Sequence, residues 1–453
     1  MKIVIAGCGK VGTAILSSLV REGHEVVALD LSGAVVRELV NVHDVIGMEG
    51  NCTDCDILTE AGIASTNLFV ATTGSDEVNM LACFLAKRMG AGHTVARIRS
   101  PEYTDQSIGF MKQQLDISVI INPDLLAAQE LFNILQLPGA VNVETFSKRN
   151  FEMVELILRE NSVLDGVSLQ EMRKKYNASY LVCAVHRGEE VTIPGGSFRL
   201  QSGDRIGLTA SPVEIERLLK MLGTMQARAR SVMILGASRA ALYLSKMLLA
   251  SDNSVTVIEA DRERCHEVAE VLPGAVIICG DGASEELLNE EGIGNTDAFV
   301  SLTGTDEENV LISYFAQGRG VGKVITKINR DEFVSMAEKM GLDSIVSPKK
   351  TVSDVVTRYA RALGNTVNSS KMETLYKFMD DKVEAAEFKI RPDFPYLNVP
   401  LKDLHLKKNA LIGGIVRGRK VMIPTGADVI LEGDRVIAVT AAGMMRDLTD
   451  IFA

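Results

Sequence analysis

The stretch Lys2–Gly12, KIVIAGCGKVG, decides the fold of the first part of this chain. Its first half is an apolar run typical of a buried strand, and its second half reads G-x-G-x-x-G. A glycine loop of this spacing, placed between a strand and a helix, can hold the phosphates of a dinucleotide. The loop alone is a weak signal, so its surroundings must show whether it has the required context.

The residues that follow the loop provide that context. One helical face is apolar after the loop, and a second apolar run at 26–29 then ends at Asp30, 18 residues beyond Gly12. An acidic residue at this place accepts hydrogen bonds from ribose hydroxyls. Its charge disfavours a 2′-phosphate, so NAD(H) or an adenine mononucleotide is expected rather than NADP(H). The alternative, that the glycines only serve a tight turn, stays open.

Each glycine of the first loop has its own expected role. Gly7 allows the tight turn, Gly9 lets backbone N–H groups approach a pyrophosphate, and Gly12 lets the helix pack close to the sheet. The N-terminus of that helix offers unpaired N–H groups and a partial positive charge to a phosphate.

Most of the sequence occurs twice. Segment 49–81 aligns without gaps with 279–311 at an offset of 230 residues, and 188–209 matches 418–440. Two copies of roughly 220 residues, each with two unlike parts, therefore account for the chain. We name the parts N1, C1, N2 and C2 and predict the boundaries 1–137, 138–223, 228–365 and 370–453.

The two kinds of part differ in their patterns. The N parts alternate short apolar runs with helical segments, which predicts a parallel, doubly wound sheet. The C parts read as a strand, a glycine turn and a strand at 180–194, another strand at 205–209 and a helix at 211–222. The predicted fold class is α/β, with two Rossmann-like doubly wound sheets, each followed by a small α+β domain. The predicted strands are 3–6, 26–29, 68–71, 94–98 and 117–121 in N1, and 232–235, 255–258, 276–279, 298–302, 324–328 and 344–346 in N2.

The second glycine loop departs from the first. In LGASRAA (235–241), Gly236, Ser238 and Ala241 stand where the first copy has its three glycines. Serine adds a side chain where the backbone should approach phosphate, while Glu259 keeps the acidic ribose position. We expect N2 to bind a nucleotide differently or more weakly than N1, and an empty second site stays open.

Further polar residues are expected at the ligand edge. The loops TTGSD (72–76) and LTGTD (302–306) each follow a central strand, at the carboxyl edge where ligands of such sheets sit. Arg97 and Lys327 occupy matching strand positions and could each reach an anionic ligand. For Arg97 the alternative is a surface salt bridge.

Composition excludes several classes of function. With 48 basic and 59 acidic residues, the net charge is −11, and no basic run exceeds the pair Lys349-Lys350, so a nucleic-acid partner is not expected. Seven scattered cysteines fit a reducing compartment. Cys52-x-x-Cys55 lacks a second pair and a nearby histidine, so no metal site is predicted. No apolar run approaches the length that spans a bilayer, and residue 1 is not followed by a signal-peptide pattern, so the cytoplasm is expected.

The same residues bear on catalysis. None of the six histidines recurs at matching places in the two copies, and no hydrolase or metalloprotease motif is present. We therefore predict no catalytic residue and a protein that senses a nucleotide. An NAD-dependent oxidoreductase with duplicated Rossmann domains is the alternative, and a free-standing scaffold with a structural nucleotide is a third interpretation.

Five motifs carry a resemblance to a known family. The chain resembles the tandem RCK family (regulator of K⁺ conductance, also called KTN), which includes the cytoplasmic subunits of Trk potassium uptake systems. The resemblance covers essentially the whole chain, in the order N1–C1–N2–C2. The motifs are KIVIAGCGKVG (2–12), TTGSDEVNMLAC (72–83), ARIRSPEY (96–103), GEEVTIPGGSFRLQSGDRI (188–206) and GRKVMIPTGADVILEGDRV (418–436).

The resemblance implies a nucleotide-gated regulator. Such proteins form a ring of paired N domains, here a homo-oligomer of four tandem chains, at the inner face of the cell membrane. The ring sits under a membrane K⁺-translocating subunit of the TrkH or TrkG type. NAD(H), ATP or ADP binds in the N-domain clefts, and ligand exchange changes the hinge angle between N domains.

The resemblance also implies two sets of ligand-binding residues. The first set is Gly7, Cys8, Gly9, Lys10, Val11, Gly12, Asp30, Asn51, Cys52, Thr73, Gly74 and Arg97. The second set is Gly236, Ala237, Ser238, Arg239, Ala240, Glu259, Asp281, Thr303, Gly304 and Lys327.

Overall fold

A computed structural model gives the fold of the chain. The structure describes residues 1–453 with the exception of 101–102, 104, 138, 147–150, 161, 177–178, 223–228, 365–368, 380 and 442. The expected boundaries at 138, 223, 228 and 365 lie outside the described residues, and the division into four parts stays a prediction.

The first copy begins with a six-stranded sheet in which every pairing is parallel, with the strand order β3-β2-β1-β4-β5-β6. This is the doubly wound arrangement that the sequence predicts. Strand β3 was not predicted in N1, because Gly47 and Glu49 leave it without a continuous apolar run, whereas the equivalent edge strand of the second copy reads VIIC. The elements are β1 Lys2–Ala6, α1 Lys10–Arg21, β2 Glu25–Asp30, α2 Gly33–Val42, β3 Ile46–Glu49, α3 Cys55–Glu60, β4 Leu68–Ala71, α4 Asp76–Arg88, β5 His93–Arg97, α5 Asp105–Gln114 and β6 Val119–Ile121.

A helix then leads to a five-stranded antiparallel sheet of order β10-β9-β11-β8-β7. The predicted hairpin and the final helix are present, and two further strands precede them. The elements are α6 Pro123–Gln136, β7 Asn142–Phe146, β8 Phe151–Ile157, α7 Leu169–Tyr176, β9 Tyr180–Arg187, β10 Glu190–Thr192, β11 Arg205–Ala210 and α8 Pro212–Met221.

The second copy repeats both sheets, with the orders β14-β13-β12-β15-β16-β17 and β18-β19-β22-β20-β21. Each Rossmann-like sheet is thus followed by a small antiparallel sheet, as predicted. The elements are β12 Ser231–Leu235, α9 Arg239–Leu249, β13 Ser254–Glu259, α10 Arg262–Val271, β14 Val276–Cys279, α11 Glu285–Glu290, β15 Ala298–Ser301, α12 Asp306–Gly318, β16 Lys323–Lys327, α13 Asp331–Lys339, β17 Ser344–Val346, α14 Pro348–Gly364, β18 Ser370–Phe378, β19 Val383–Ile390, β20 Ala410–Arg417, β21 Lys420–Met422 and β22 Arg435–Thr440.

The chain packs as two compact units. The first is Met1–Ala127 with Ser347–Ala360, and the second is Ala128–Val346 with Arg361–Ala453. In the first unit, Thr357 of α14 hydrogen-bonds Ser18 of α1 with 2.9 Å between the two hydroxyl oxygens.

In the second unit, the later part of α6 joins the core around β12. Leu131, Ile134 and Leu135 are buried there in the same apolar cluster as Val232 and Ile234. The helix that follows each parallel sheet along the chain therefore packs with the sheet of the other copy.

The two antiparallel sheets share a core within the second unit. Phe151 of β8 is buried in one apolar cluster with Val383 of β19 and Val439 of β22. Gly414 is required at this contact, because a Cβ there would lie 2.5 Å from Cζ of Phe151. Of the helices in the described ranges, none has the length and apolar character needed to cross a lipid bilayer.

Candidate nucleotide-binding sites

The first glycine loop combines two tight contacts with one open position. Gly7 has a φ of +86°, and a Cβ there would lie 2.5 Å from the amide nitrogen of Thr73. A Cβ on Gly12 would lie 2.1 Å from the carbonyl oxygen of Gly7. No heavy atom lies within 4 Å of the Cβ position of Gly9. The tight turn and the close helix approach are therefore present as predicted, and Gly9 faces open space at the N-terminus of α1.

Asp30 fixes this loop from the end of β2. Its Oδ2 accepts a hydrogen bond from the Cys8 N–H at 2.7 Å, and its Oδ1 accepts one from the Ser32 N–H at 2.9 Å. Because each carboxylate oxygen can accept two hydrogen bonds, both retain capacity for ribose hydroxyls. Asp30 thus has a structural role in addition to its predicted ligand role.

The predicted residues Asn51 and Cys52 lie beside Asp30. The N–H of Gly50 donates to the Asp30 carbonyl oxygen at 2.9 Å, which brings the end of β3 next to the end of β2. Asn51 is exposed, and its Oδ1 accepts a hydrogen bond from the Thr53 N–H at 3.0 Å. Cys52 is buried in the core of the sheet, and burial raises the pKa of its thiol. At Cys52, therefore, only the backbone is suited to contact a polar ligand.

One buried asparagine connects the loop after β4 with the end of β5. Asn79 Oδ1 accepts hydrogen bonds from the Thr73 N–H and hydroxyl, and its Nδ2 donates to the Arg97 carbonyl oxygen at 2.9 Å. The Arg97 guanidinium donates back to the Thr73 carbonyl oxygen. Asn79 is not among the site residues predicted from the sequence, although its counterpart Asn309 stands at the 230-residue offset in the second copy.

Arg97 is a buried cation at the ligand edge. Its exposed fraction is 8%, which does not fit the alternative of a surface salt bridge. Within the described ranges its Nε has no hydrogen-bond partner. Burial, followed by the charge of Arg99, lowers the pKa of the guanidinium. A cation removed from water in this way attracts an anionic ligand more strongly than an exposed one.

Acidic residues at the start of α4 and α12 hold the segments that follow β5 and β16. Asp76 Oδ2 accepts hydrogen bonds from the N–H groups of Arg99 at 2.8 Å and Ser100 at 2.7 Å. Asp306 accepts from the N–H groups of Asn329 and Arg330 in the same way. Burial raises the pKa of Asp306, but these hydrogen bonds outweigh it, so the pKa lies below its ordinary value. Both loops are thereby fixed at the carboxyl edge of their sheets.

The second glycine loop keeps the acidic contact of the first but differs at its middle position. Glu259 Oε2 accepts a hydrogen bond from the Ala237 N–H at 2.7 Å, as Asp30 does in the first copy. Ser238 is the N-cap of α9, and its Oγ accepts from the Ala241 N–H at 3.3 Å. One N–H that could bind phosphate is thus used by the protein, whereas Gly9 at the matching position has no side chain.

An arginine that the sequence analysis missed lies beside the second loop. Arg264 Nε donates to the Ala237 carbonyl oxygen at 3.0 Å, and its Nη1 pairs with Glu267 at 2.8 Å. The matching residue of the first copy is Val35, so comparison of the two copies gave no signal for it. The second site therefore carries a cation that the first lacks.

The other predicted residues lie at the same edges. Thr303 donates its N–H and hydroxyl to Asn309 Oδ1, both at 2.9 Å, and Lys327 Nζ donates to the Leu302 carbonyl oxygen at 3.3 Å. Ala240 is buried, so only its backbone can face a ligand. Lys10, Gly74, Arg239, Asp281 and Gly304 are exposed, and Val11 is half-buried.

Comparisons with known proteins match two kinds of domain in alternation along the chain. The sequence model described as the TrkA-N domain matches residues 3–123 and 232–348, and that of the TrkA-C domain matches 153–223 and 385–453. A protein from Archaeoglobus fulgidus, the Trk system potassium uptake protein TrkA homolog, is 33% identical over 452 residues, covering 100% of both chains. The chain belongs to the TrkA family.

Solved structures support the fold of this TrkA-family chain. The GsuK RCK domain covers 97% of this chain and 92% of its own, with a TM-score of 0.63 at 16% identity. The GsuK channel bound to NAD covers 97% of this chain and 77% of its own, with a TM-score of 0.63 at 15% identity. The tandem RCK fold that the sequence predicts is thereby confirmed, and the family places the chain among potassium uptake proteins.

Proposed function

We propose that this TrkA-family chain is the nucleotide-sensing regulatory subunit of a Trk-type potassium uptake system. It binds NAD(H), ATP or ADP and thereby controls K⁺ flux through a membrane subunit of the TrkH or TrkG type. It lies in the cytoplasm at the inner face of the cell membrane and is held there by that partner. The observation that carries the proposal is the open position at Gly9 after β1, a strand that lies in the sheet between β2, which ends at Asp30, and β5, which ends at the buried Arg97.

The first site is the stronger candidate for a nucleotide. Its phosphate loop leaves the N–H groups of the first turn of α1 without a side-chain cap, whereas Ser238 caps α9. The carboxylate of Asp30 favours a free ribose and disfavours a 2′-phosphate. The proposed ligand residues are the two sets named in the sequence analysis, together with Asn79 and Asn309 as positioning residues.

The ligand acts as a signal and leaves unaltered. Hydride transfer requires a proton donor or acceptor beside the nicotinamide. His24 precedes β2 and His93 begins β5, so both lie at the amino edge of the sheet, opposite the glycine loop. His43 follows α2, and its Nε2 is 3.1 Å from Ser17 Oγ. These positions do not supply acid–base chemistry to a ligand at the carboxyl edge.

Exposed apolar side chains support self-association of the N parts. Leu81 on α4 and Leu311 on α12 occupy matching positions, and both are about half-exposed. Tyr314 on α12 and Met336 on α13 are exposed in the second copy, and Phe110 on α5 is exposed in the first. Apolar surface repeated on equivalent helices fits a closed ring, which we propose to contain four chains.

A bound nucleotide can change the conformation of the ring only if it binds one conformation more tightly than another. A nucleotide that prefers one hinge angle by about 1–3 kcal/mol per site shifts the population of that state, and several sites add their effects. The membrane subunit then reports the state of the ring as K⁺ flux.

The test is K⁺ flux in proteoliposomes that hold the membrane subunit, measured with and without the purified chain. Added ATP, ADP, NAD⁺ or NADH should change the flux only when the chain is present. Asp30→Asn should reduce the response, and Glu25→Gln, an exposed acid at the opposite end of β2, should not. Unchanged flux with every nucleotide, although the chain is bound, would contradict the proposal, as would steady loss of NADH absorbance with a carbonyl substrate.

A further inference from the structure

Two cysteines of the second copy lie together beside Glu259. Cys265 is in the first turn of α10, and its thiol donates to the Glu259 carbonyl oxygen at 3.3 Å. Cys279 is the last residue of β14, and the parallel register places it opposite Glu259. Both sulfur atoms are therefore next to the strand end that carries the acidic residue of the second site.

The two thiols differ in their access to solvent. Cys279 is exposed and Cys265 is buried, and both are free thiols. Burial and, next, the Cys279 thiol raise the pKa of Cys265 to about 11. An oxidant from solvent therefore meets Cys279 first, with Cys265 in place as the second thiol.

We infer that Cys265 and Cys279 form a redox-modification site, at which a peroxide converts the two thiols into an intrachain disulfide. The Cys279 thiolate attacks one peroxide oxygen, the O–O bond breaks, and a sulfenic acid forms with release of hydroxide. The Cys265 sulfur then attacks the sulfur of Cys279, an S–S bond forms, and the hydroxyl leaves as water. Two thiols lose two electrons and two protons in total, and hydrogen peroxide becomes two molecules of water.

The pair is absent from the first copy. In the equivalent helix α2 and strand β3, the first copy has Val36 and Glu49 in place of the two cysteines. Its nearest comparison is Cys52 with Cys55, in which Cys52 is packed into the core of the sheet. The modification is therefore specific to the second copy and can change the second nucleotide loop without changing the first.

The disulfide acts on the residue that holds the second glycine loop. Glu259 fixes the Ala237 N–H through its carboxylate and the Cys265 thiol through its carbonyl. Oxidation removes that thiol donor and ties α10 to β14 next to Glu259. Cys279 also stands two residues before Asp281, a proposed ligand residue.

Oxidation therefore lowers the nucleotide affinity of the second site and leaves the first unchanged. This consequence rests on the proposed function. Because coupling between two sites is reciprocal, a bound nucleotide should also slow oxidation of Cys279.

The first experiment maps the disulfide in the full-length protein. The reduced chain is treated with hydrogen peroxide, remaining thiols are alkylated, and peptides are analysed by mass spectrometry. The expected product joins Cys265 to Cys279, and Cys265→Val or Cys279→Glu, the residues of the first copy, should each abolish it. Recovery of both cysteines as alkylated thiols after other thiols have reacted, or a disulfide confined to Cys52 and Cys55, would overturn the inference.

The second experiment titrates ATP into the reduced and the oxidised chain by calorimetry, in an Asp30→Asn background that weakens the first site. Oxidation should weaken the remaining binding about fivefold or more, and Cys279→Glu should remove this difference. Equal affinity of fully oxidised and reduced chains would overturn the coupling. Absence of any binding to the reduced, unsubstituted chain would overturn the proposed function. Peptide mapping would still show whether Cys265 and Cys279 form a disulfide.

Discussion

Asn79 accepts both hydrogen bonds that Thr73 donates to it: its Oδ1 lies 2.8 Å from the Thr73 amide nitrogen and 2.7 Å from Thr73 Oγ1. With its Nδ2 it also holds the carbonyl oxygen of Arg97 at 2.9 Å. Asn309 makes the equivalent bonds with Thr303 and Lys327. One buried amide per copy therefore sets the distance between the loop after the fourth strand and the end of the fifth.

Asn79→Ala should weaken nucleotide binding at the first site. The substitution leaves buried donors and an acceptor without partners, so the free energy of unfolding should fall by about 1–3 kcal/mol. Calorimetry measures the affinity, and chemical denaturation measures the stability. Asn309→Ala is the matched control and should affect the second site only. A folded Asn79→Ala chain with unchanged first-site affinity would show that this amide does not position the ligand.

Gly9→Ser and Ser238→Gly should reverse the difference in phosphate binding between the two loops. Gly9→Ser adds atoms in open space, so stability should be unchanged, but the new hydroxyl caps α1 and competes with phosphate. Loss of one such charge-assisted hydrogen bond weakens first-site binding about tenfold. Ser238→Gly should strengthen the second site. If both variants bind as the unsubstituted chain does, the helix N-termini do not contact the ligand.

Gly12→Ala should destabilise the first unit, because the new Cβ would lie 2.1 Å from the Gly7 carbonyl oxygen. Overpacking of this kind lowers the free energy of unfolding by about 1–3 kcal/mol. Chemical denaturation followed by circular dichroism measures the loss. The matched change, Ala241→Gly, removes a methyl group at the equivalent position and should cost about 1 kcal/mol or less. Equal stability of Gly12→Ala and the unsubstituted chain would contradict the tight contact.

Lys323 should make stability depend on pH. Its Nζ donates to the Ala140 carbonyl oxygen and, at 2.8 Å, to Ser344 Oγ, and burial lowers its pKa to about 7. An unfolded lysine keeps its proton up to about pH 10.4, so between pH 7 and that value the unfolded chain binds more protons. The contribution of Lys323 to the free energy of unfolding therefore rises with pH across that window. Below pH 7 the buried lysine is charged in the folded chain as well, and the full destabilisation from burying that charge remains.

The measurement is the free energy of unfolding at pH 7 and pH 9. In Lys323→Met the increase with pH should be smaller than in the unsubstituted chain, because the titrating group is gone. The readout is the change in the free energy of unfolding between pH 7 and pH 9, and not its absolute value, because the substitution also removes two hydrogen bonds. Equal slopes in the two proteins would contradict a lowered pKa.

The sequence predicts those features that depend on local patterns. The parallel strands of both N parts are apolar runs between helices, and the glycine loop and the hairpin at 180–194 have characteristic spacings. Strand β3 lacks such a run because its sequence, IGME, contains a glycine and an acidic residue, whereas the equivalent edge strand of the second copy reads VIIC. Helix α6 has an apolar face, but no local pattern says which sheet covers it. Its place in the core around β12 depends on tertiary packing.

The residues of the candidate site also differ in whether the sequence alone predicts them. Asp30 was predicted from its distance to Gly12, and the structure adds that its carboxylate also holds the Cys8 N–H. The importance of Asn79 depends on side-chain directions across two strands, which spacing does not encode. Arg264 has no counterpart in the first copy, so the repeat could not indicate it.

Equilibrium binding of ATP and of NADH to the purified full-length chain, followed by chromatography of the recovered nucleotide, tests the central claim most directly. A nucleotide sensor should show saturable binding that Asp30→Asn weakens and Glu25→Gln does not, with the nucleotide recovered intact. Absence of saturable binding at millimolar nucleotide, or recovery of a converted product, would contradict it.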